Sequence, residues 1–248
     1  MKNLTMTMAA ICLIAGILQL PASVKADLIV TEIMYNPASK ADSDWEYVEI
    51  YNTSTSETLD LAGYVLDDDD DGVLSSANIS AGSVAPLSTA VLFNAADNTL
   101  ADMQAAWGAD INFIEVTDWS SLDNKGDRIS MWDSLAAYDG KNFANAIIDV
   151  IYDDSGDWPT DNNKASIHLT DQSADPNVGT NWALSEIGDV CGGYESNPAG
   201  AGNKTNVGSP GSPPPGPLPE PGAMTMLVMG GLGLLLRHRR RRLKRLTN

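Results

Sequence analysis

The C-terminal end of the chain consists of three segments that do not suit a globular core, and it limits which residues are left to fold. Residues 213–221 are rich in proline, which holds φ at about −65° and favours an extended spacer. Residues 222–236 carry no charge, and as a helix they would reach about 22 Å, short of the roughly 30 Å hydrocarbon layer of a bilayer. Residues 237–248 are strongly basic, and we expect them to stay on the cytoplasmic side. The arginines of this membrane stop are Arg237, Arg239, Arg240, Arg241 and Arg242.

The order of these segments resembles the PEP-CTERM sorting signal of Gram-negative bacteria. The motif itself is Pro219, Glu220 and Pro221, followed by the short apolar segment as a transmembrane helix and then by the arginines. The resemblance implies recognition by exosortase, a membrane protease-transpeptidase that cuts near the motif and releases the protein to the cell surface or matrix. An ordinary C-terminal membrane anchor is the alternative. Under both interpretations we expect residues 27–212 to face outward.

The N-terminal end carries the features of a secretory signal peptide. Lys2 gives a positive start, residues 9–20 are apolar, and Val24 and Ala26 place small residues at the positions that signal peptidase reads. We therefore expect cleavage after Ala26 and an exported protein that begins at Asp27. Residues 1–26 take no part in the fold.

The exported part is much more acidic than the whole chain. All 33 Asp and Glu residues lie between Asp27 and Glu220, whereas two of the 15 Lys and Arg residues precede them and seven follow, which leaves six. The net charge of this part is therefore −27, against −18 for the full chain. Such a surface repels nucleic acid and attracts divalent cations.

The exported span has the pattern of a strand-rich domain. Short runs of β-branched and aromatic residues alternate with Gly, Asn, Asp and Pro clusters, which is typical of strands joined by turns. One helix is predicted over Leu100–Trp107, with Thr99 or Asn98 as its N-cap and Gly108 at its end. This pattern favours an all-β fold, a β-sandwich. The predicted strands are 28–35, 45–51, 59–66, 87–93, 128–132, 147–152, 165–169 and 180–184.

The order of several short motifs resembles the lamin tail domain. Residues 46–52, 59–67 and 122–129 carry the resemblance, together with the closing turn at 208–211. The family implies an immunoglobulin-like β-sandwich over residues 27–212, in which Glu32 and Glu49 accept backbone hydrogen bonds at the sandwich edge. The acidic stretch 67–86 and the Gly- and Asn-rich stretch 185–206 depart from the family pattern.

The exported span has few groups suited to catalysis. It holds one histidine, His168, in a strand two residues from Ser166, and we expect an exposed strand residue without a catalytic role. With Cys191 as the one cysteine, no zinc site of the usual nitrogen and sulfur kind is expected. Cys191 is interpreted as a buried small residue, and an intermolecular disulfide is the alternative. A hydrolase built on Glu46 or Glu49 remains an alternative, because a glycosidase needs only two carboxylates.

The acidic run at 67–72 matches the first half of a calcium loop. Asp67, Asp69 and Asp71 stand at alternate positions before Gly72, but the twelfth position is Asn78 in place of glutamate. Calcium (Ca2+) binding by these aspartates is therefore a hypothesis, and a solvated hairpin loop is the alternative.

Together these features predict an exported, non-catalytic protein of the cell surface or extracellular matrix that acts as a binding, adhesion or structural module. Its expected partners are an exosortase-type protease-transpeptidase and extracellular polysaccharide or surface proteins, with no role for nucleic acid. The alternatives are a calcium-binding protein that stays anchored in the membrane and a secreted hydrolase that uses carboxylates.

Overall fold

The computed structural model describes residues 28–38, 42–70, 72–160, 163–198 and 201–216. Within these ranges no helix is both long and apolar enough to cross a membrane. The predicted cleavage site at Ala26, the apolar segment 222–236 and the basic tail 237–248 lie outside the described residues, as do Asp71 and Pro219–Pro221.

The described residues are mainly β-structure with a few short helices, which confirms the expectation of a predominantly β fold. The strands in chain order are β1 (Leu28–Met34), β2 (Tyr47–Asn52), β3 (Leu59–Asp60), β4 (Val65–Asp67), β5 (Ser83–Val84), β6 (Thr89–Asn94), β7 (Phe113–Val116), β8 (Gly126–Trp132), β9 (Ile148–Asp153), β10 (Ile167–Leu169), β11 (Trp182–Leu184), β12 (Tyr194–Glu195) and β13 (Val207–Gly208). The α-helices are α1 (Leu100–Trp107) and α2 (Leu135–Tyr138), and 3-10 turns cover Asp42–Trp45, Phe143–Asn145 and Gly179–Asn181.

Two sheets face each other across the main core. The larger has the strand order β11-β10-β1-β2-β6-β7, and the smaller has the order β4-β8-β9. The larger sheet contributes side chains such as Val30 and Ile50, and the smaller contributes side chains such as Ile129 and Val150, to one buried cluster. Tyr35 and Tyr152 stack there with ring centroids 5.0 Å apart. The apolar residues at alternate strand positions therefore build a two-layer core.

The second face of the larger sheet is covered as well. Met34, Tyr47 and Phe93 point to this side and pack with Met103 and Trp107 of α1. Every residue of β2 and β6 is buried, which fits strands that are enclosed on both faces. The segment after β11 completes this cover, because Ala201 joins the same cluster.

Helix α1 was predicted correctly, with the expected bounds. Thr99 accepts a hydrogen bond from the Asp102 backbone N–H, and the Asp102 carboxylate accepts one from the Thr99 backbone N–H. This reciprocal capping satisfies two amide groups that the first turn would otherwise leave free. The helix connects β6 to β7, which pair in parallel.

Several predicted strands differ from the observed ones. The predicted strand 59–66 is two strands, β3 and β4, because a turn at Ala62–Gly63 separates them and Gly63 has a φ of 90°. The predicted strand 87–93 begins only at Thr89, since Leu87 has a left-handed φ of 52°. Strand β7 was not predicted at all.

Candidate functional site

A β-bulge in the centre of the larger sheet brings two carboxyl groups together. The pairing of β1 with β2 shifts by one residue between Val30 and Glu32, so that Glu32 lies directly opposite Glu49. Both side chains point to the face covered by α1 and the C-terminal segments, and they are 1% and 0% exposed. The prediction that these residues lie at the sandwich edge is wrong, because β1 and β2 are central strands.

Glu32 accepts hydrogen bonds from four groups. Its Oε1 accepts from the Tyr47 hydroxyl at 2.8 Å, from the Ser209 backbone N–H at 2.7 Å and from the Ser166 hydroxyl. The Ser209 hydroxyl donates to Oε2 at 3.2 Å. A buried carboxylate with this many donors has exchanged its water shell for protein groups.

Glu49 binds the chain two residues after Ser209, at Gly211. Its Oε1 accepts from the Thr31 hydroxyl at 2.7 Å, and its Oε2 accepts from the Gly211 backbone N–H at 2.5 Å. Glu32 and Glu49 thus bind the backbone of residues 209–211 to the middle of the sheet. This contact to backbone donors is the role that the family resemblance implied for them.

Ionisation of both carboxyl groups would be unfavourable in free energy, because both are buried and lie next to each other. Burial first, and the neighbouring Glu32 second, raise the pKa of Glu49 to about 8 against hydrogen bonds that lower it. Burial also raises the pKa of Glu32, against the hydrogen bonds from Ser166, Ser209 and Tyr47. With the donors concentrated on Glu32, the pair is best described as an ionised Glu32 beside a neutral Glu49 at neutral pH.

Glu46, the other carboxylate considered for hydrolysis, is bound elsewhere. It accepts from the Trp119 ring N–H at 2.9 Å and from the Leu122 backbone N–H at 3.0 Å. Glu46 therefore fixes the loop before β8, whereas Glu49 fixes residues 209–211. The structure gives the two carboxylates different structural partners.

His168 is buried, and the prediction of an exposed strand residue is wrong. It lies on β10 directly opposite Glu32 and is 3% exposed. The alternation of the strand correctly places Ser166 and His168 on one face, but Ser185, Asp189 and Val207 cover that face. Ser166 is likewise fully buried, and its hydroxyl lies 2.7 Å from the Ser185 hydroxyl.

His168, Asp189 and Cys191 form a compact cluster beside this network. One ligand atom of each lies within 4.8 Å of those of the other two. The His168 Nδ1 atom is 3.6 Å from Asp189 Oδ2 and 3.1 Å from the Ser185 hydroxyl oxygen. Cys191 is 5% exposed, which confirms its interpretation as a buried residue.

The loop 186–193 positions two members of the cluster. The Asp189 carboxylate accepts hydrogen bonds from the backbone N–H groups of Glu186, Cys191 and Gly193 at 2.9 to 3.0 Å. Gly193 must be glycine, because a Cβ there would lie 3.0 Å from Asp189 Oδ2 and would collide with the Glu186 carbonyl oxygen. Sequence reasoning missed Asp189, since one acidic residue among 33 carries no distinguishing signal.

Burial sets the protonation of this cluster. It lowers the pKa of His168, although Asp189 acts in the opposite direction, so the ring is neutral and one nitrogen keeps its lone pair. Burial, together with the charges of Asp189, Glu32 and Glu49, raises the pKa of the Cys191 thiol to about 12. A protonated thiol is a poor nucleophile, and this arrangement does not resemble an activated cysteine.

The acidic run after β4 is arranged around a lysine. Asp67 is 4% exposed and accepts from the hydroxyls of Tyr138 at 2.5 Å and Ser120 at 2.8 Å. The Lys141 ammonium lies 3.4 Å from both Asp67 and Asp68 and donates to the Asp70 carbonyl at 2.7 Å. Asp69, in contrast, is exposed. Asp67 is thus buried and already has three partners, whereas Asp69 is exposed, and calcium binding stays a hypothesis.

A polar surface groove of about 530 Å³ lies beside the start of the proline-rich segment. Its walls carry hydroxyl, amide and carboxylate groups together with backbone at Gly211 and Pro213. The polar lining residues are Ser83, Ser88, Thr89, Asp110 and Asn112.

The comparison with protein families identifies the domain family of the chain. The model of the Lamin Tail Domain family matches residues 21–175, which is more than half of the chain. No curated protein matches the chain. The family match ends before β11, so the loop 186–193 and the segment 207–216 lie beyond it.

Proposed function

We propose that the chain, which belongs to the lamin tail domain family, acts as an exported, non-catalytic module of the cell surface or extracellular matrix. In this proposal the signal peptide directs export and residues 219–245 act as a PEP-CTERM sorting signal. An exosortase-type protease-transpeptidase then cuts near Pro219–Pro221, and the acidic domain is released or displayed.

The observation that carries the proposal is the anchoring of the last described segment. Val207 forms a parallel β-bridge with Ala165. The backbone N–H groups of Ser209 and Gly211 donate hydrogen bonds to the carboxyl groups of Glu32 and Glu49, respectively. Gln172 then donates from its backbone N–H to the Pro215 carbonyl at 3.2 Å and from its side chain to the Pro214 carbonyl at 2.6 Å.

All of these anchors precede the sorting motif in the chain. The motif begins three positions after Gly216, the last described residue. A cut near Pro219–Pro221 would therefore remove the tail and leave every one of these contacts in place. This supports a protein whose tail is processed while its folded domain is kept.

Cell fractionation of a sorting-motif variant tests the proposal. Pro219, Glu220 and Pro221 would be replaced together by alanine in the full-length chain. We expect the unaltered protein at the surface or in the medium, and the variant retained at full length in the inner membrane. Glu115→Ala, which alters an exposed residue of β7, serves as a control that keeps the original distribution. Identical distributions of the motif variant and the unaltered protein would overturn the sorting proposal.

The polar groove beside Pro213 supports a polysaccharide as the partner of the displayed domain. Hydroxyl, amide and carboxylate groups can exchange hydrogen bonds with sugar hydroxyls, and the groove is large enough for sugar residues. We expect Asp110→Ala to reduce co-sedimentation of the protein with the extracellular polysaccharide of the bacterium that produces it. Asp118→Ala removes an exposed carboxylate outside the groove and should leave binding unchanged. Equal binding by both variants would show that the groove is not the contact.

A further inference from the structure

We infer that His168, Asp189 and Cys191 form a binding site for a thiophilic divalent metal ion of the zinc type. The three residues offer an imidazole nitrogen, a carboxylate oxygen and a sulfur atom. This donor set suits Zn²⁺ and its neighbours in the first transition row, and it does not suit calcium or magnesium, which require oxygen.

The spacing of the donor atoms is close to that of a tetrahedral metal site. Ligand bonds of about 2.0 Å to nitrogen and oxygen and about 2.3 Å to sulfur place neighbouring ligand atoms roughly 3.2 to 3.8 Å apart. The Nδ1 atom of His168 and the Oδ2 atom of Asp189 are already 3.6 Å apart, and the full set lies within 4.8 Å. Only a small contraction around an ion is required.

The positions of the ligands are fixed before any ion binds. His168 is held on β10 directly opposite Glu32 of β1. On binding, its Nδ1 atom would exchange the contact with the Ser185 hydroxyl for the ion. Asp189 is held by three backbone N–H groups, one of which belongs to Cys191 itself. Such supporting hydrogen bonds orient metal ligands and raise affinity, since little ordering remains to be done on binding.

The electrostatic surroundings favour a cation at this place. Asp189 lies within ligand distance of the Cys191 sulfur, and it and the ionised Glu32 carry negative charge near it at neutral pH. A divalent ion placed between the three donor atoms would be attracted by this negative charge. The Asp189 side chain is 14% exposed, so one of the three ligands is in contact with solvent.

Binding exchanges one proton for the metal. The S–H bond of Cys191 breaks, a metal–sulfur bond forms, and the proton passes to the buffer. Neutral His168 and ionised Asp189 bind through existing lone pairs. Three protein ligands leave one position of a tetrahedron for water or for a group from a partner, as in open zinc sites.

This site does not depend on the proposed sorting or on polysaccharide binding. Its first test uses the unaltered full-length chain, purified in a mild detergent, with Zn²⁺ as the probe. Alkylation of Cys191 by iodoacetamide would be followed by peptide mass spectrometry, with Cys12 resolved on a separate peptide. Zinc should slow alkylation of Cys191 at least about tenfold, and Ca²⁺ should not. An unchanged rate with zinc would overturn the inference without the need for any variant.

The second test measures affinity by calorimetric titration with Zn²⁺. Cys191→Ser keeps the size of the side chain and loses the soft ligand, so zinc affinity should fall at least about tenfold. Asp69→Asn is the matched control, because it alters an exposed carboxylate of the acidic run and should leave the affinity unchanged. Equal affinities of Cys191→Ser and the unaltered chain would assign the bound zinc to other carboxylates and contradict the site. Titration of Co²⁺ should also give a thiolate-to-cobalt charge-transfer band that the Cys191→Ser variant lacks.

Discussion

Glu32 and Glu49 lie directly opposite each other on β1 and β2, and both carboxyl groups are enclosed by protein. Like charges at directly opposite positions of a sheet destabilise it. The chain accommodates them because Glu32 receives four hydrogen bonds and Glu49 keeps its proton at neutral pH. The arrangement ties residues 209–211 to the sheet and makes stability depend on pH.

Stability should fall as the pH rises toward the pKa of Glu49. Its carboxyl group has a pKa of about 8 in the folded protein and an ordinary value of 4.5 when exposed. The folded state therefore binds more protons than the unfolded state between these values, so the free energy of unfolding decreases with pH across this window. Glu49→Gln imitates the neutral acid and should be more stable than the unaltered chain at pH 8 by at least about 1 kcal/mol.

Urea unfolding of both proteins from pH 6 to pH 8 measures this effect. Asp127, whose pKa burial raises to about 6, is present in both proteins and contributes equally to both curves. Glu115→Gln changes an exposed glutamate of β7 and should follow the unaltered chain. Parallel curves for Glu49→Gln and the unaltered chain would mean that Glu49 is ionised throughout.

A methyl group at position 208 should disturb the same network. Strand β13 passes so close to the sheet that a Cβ on Gly208 would collide with the Tyr47 hydroxyl and lie 2.8 Å from Glu32 Oε1. We expect Gly208→Ala to cost about 1 to 3 kcal/mol, which corresponds to a fall in Tm of roughly 2 to 12 °C. Thermal unfolding measures the change. Gly72→Ala is the matched control, because no atom lies within 4 Å of its Cβ, and an equal loss in both variants would contradict the crowding argument.

Removal of the Lys141 ammonium should destabilise the acidic run. This group lies 3.4 Å from two largely buried carboxylates, Asp67 and Asp68, and its own side chain is 10% exposed. Lys141→Met keeps much of the length and leaves both carboxylates without this partner, so a loss of about 2 to 4 kcal/mol is expected. Urea unfolding would show it as a lower midpoint with an unchanged slope. Lys125→Met, at an exposed position, should change the midpoint little; if the two variants behave alike, Lys141 has no special role.

The sequence predicted the parts of the fold that depend on local pattern. The limits and cap of α1 follow from Thr99, Asp102 and Gly108, and the strands rich in β-branched residues were found within a few positions. Strand β7 was missed although Phe113, Ile114 and Val116 are aromatic or β-branched residues like those of the strands that were found.

The candidate metal site depended on contacts that no local pattern records. The face that His168 occupies was predictable from alternation, but its burial depends on residues such as Ser185 and Asp189, which follow it by more than 15 positions. Asp189 reaches His168 only through the loop 186–193. The sequence has no second histidine or cysteine in the exported span, and this led to the expectation of no zinc site. The Asp189 carboxylate can serve as the third ligand, so that expectation does not hold against the proposed site.

The central claim is that the domain is exported and cut from its tail while it stays folded. Intact mass spectrometry of the protein collected from the cell surface and medium tests it most directly. We expect one species that begins at Asp27, ends near Pro219–Pro221 and lacks Arg237 and all that follows. A full-length chain recovered from the cytosol, with the signal peptide and the arginines still attached, would contradict the account.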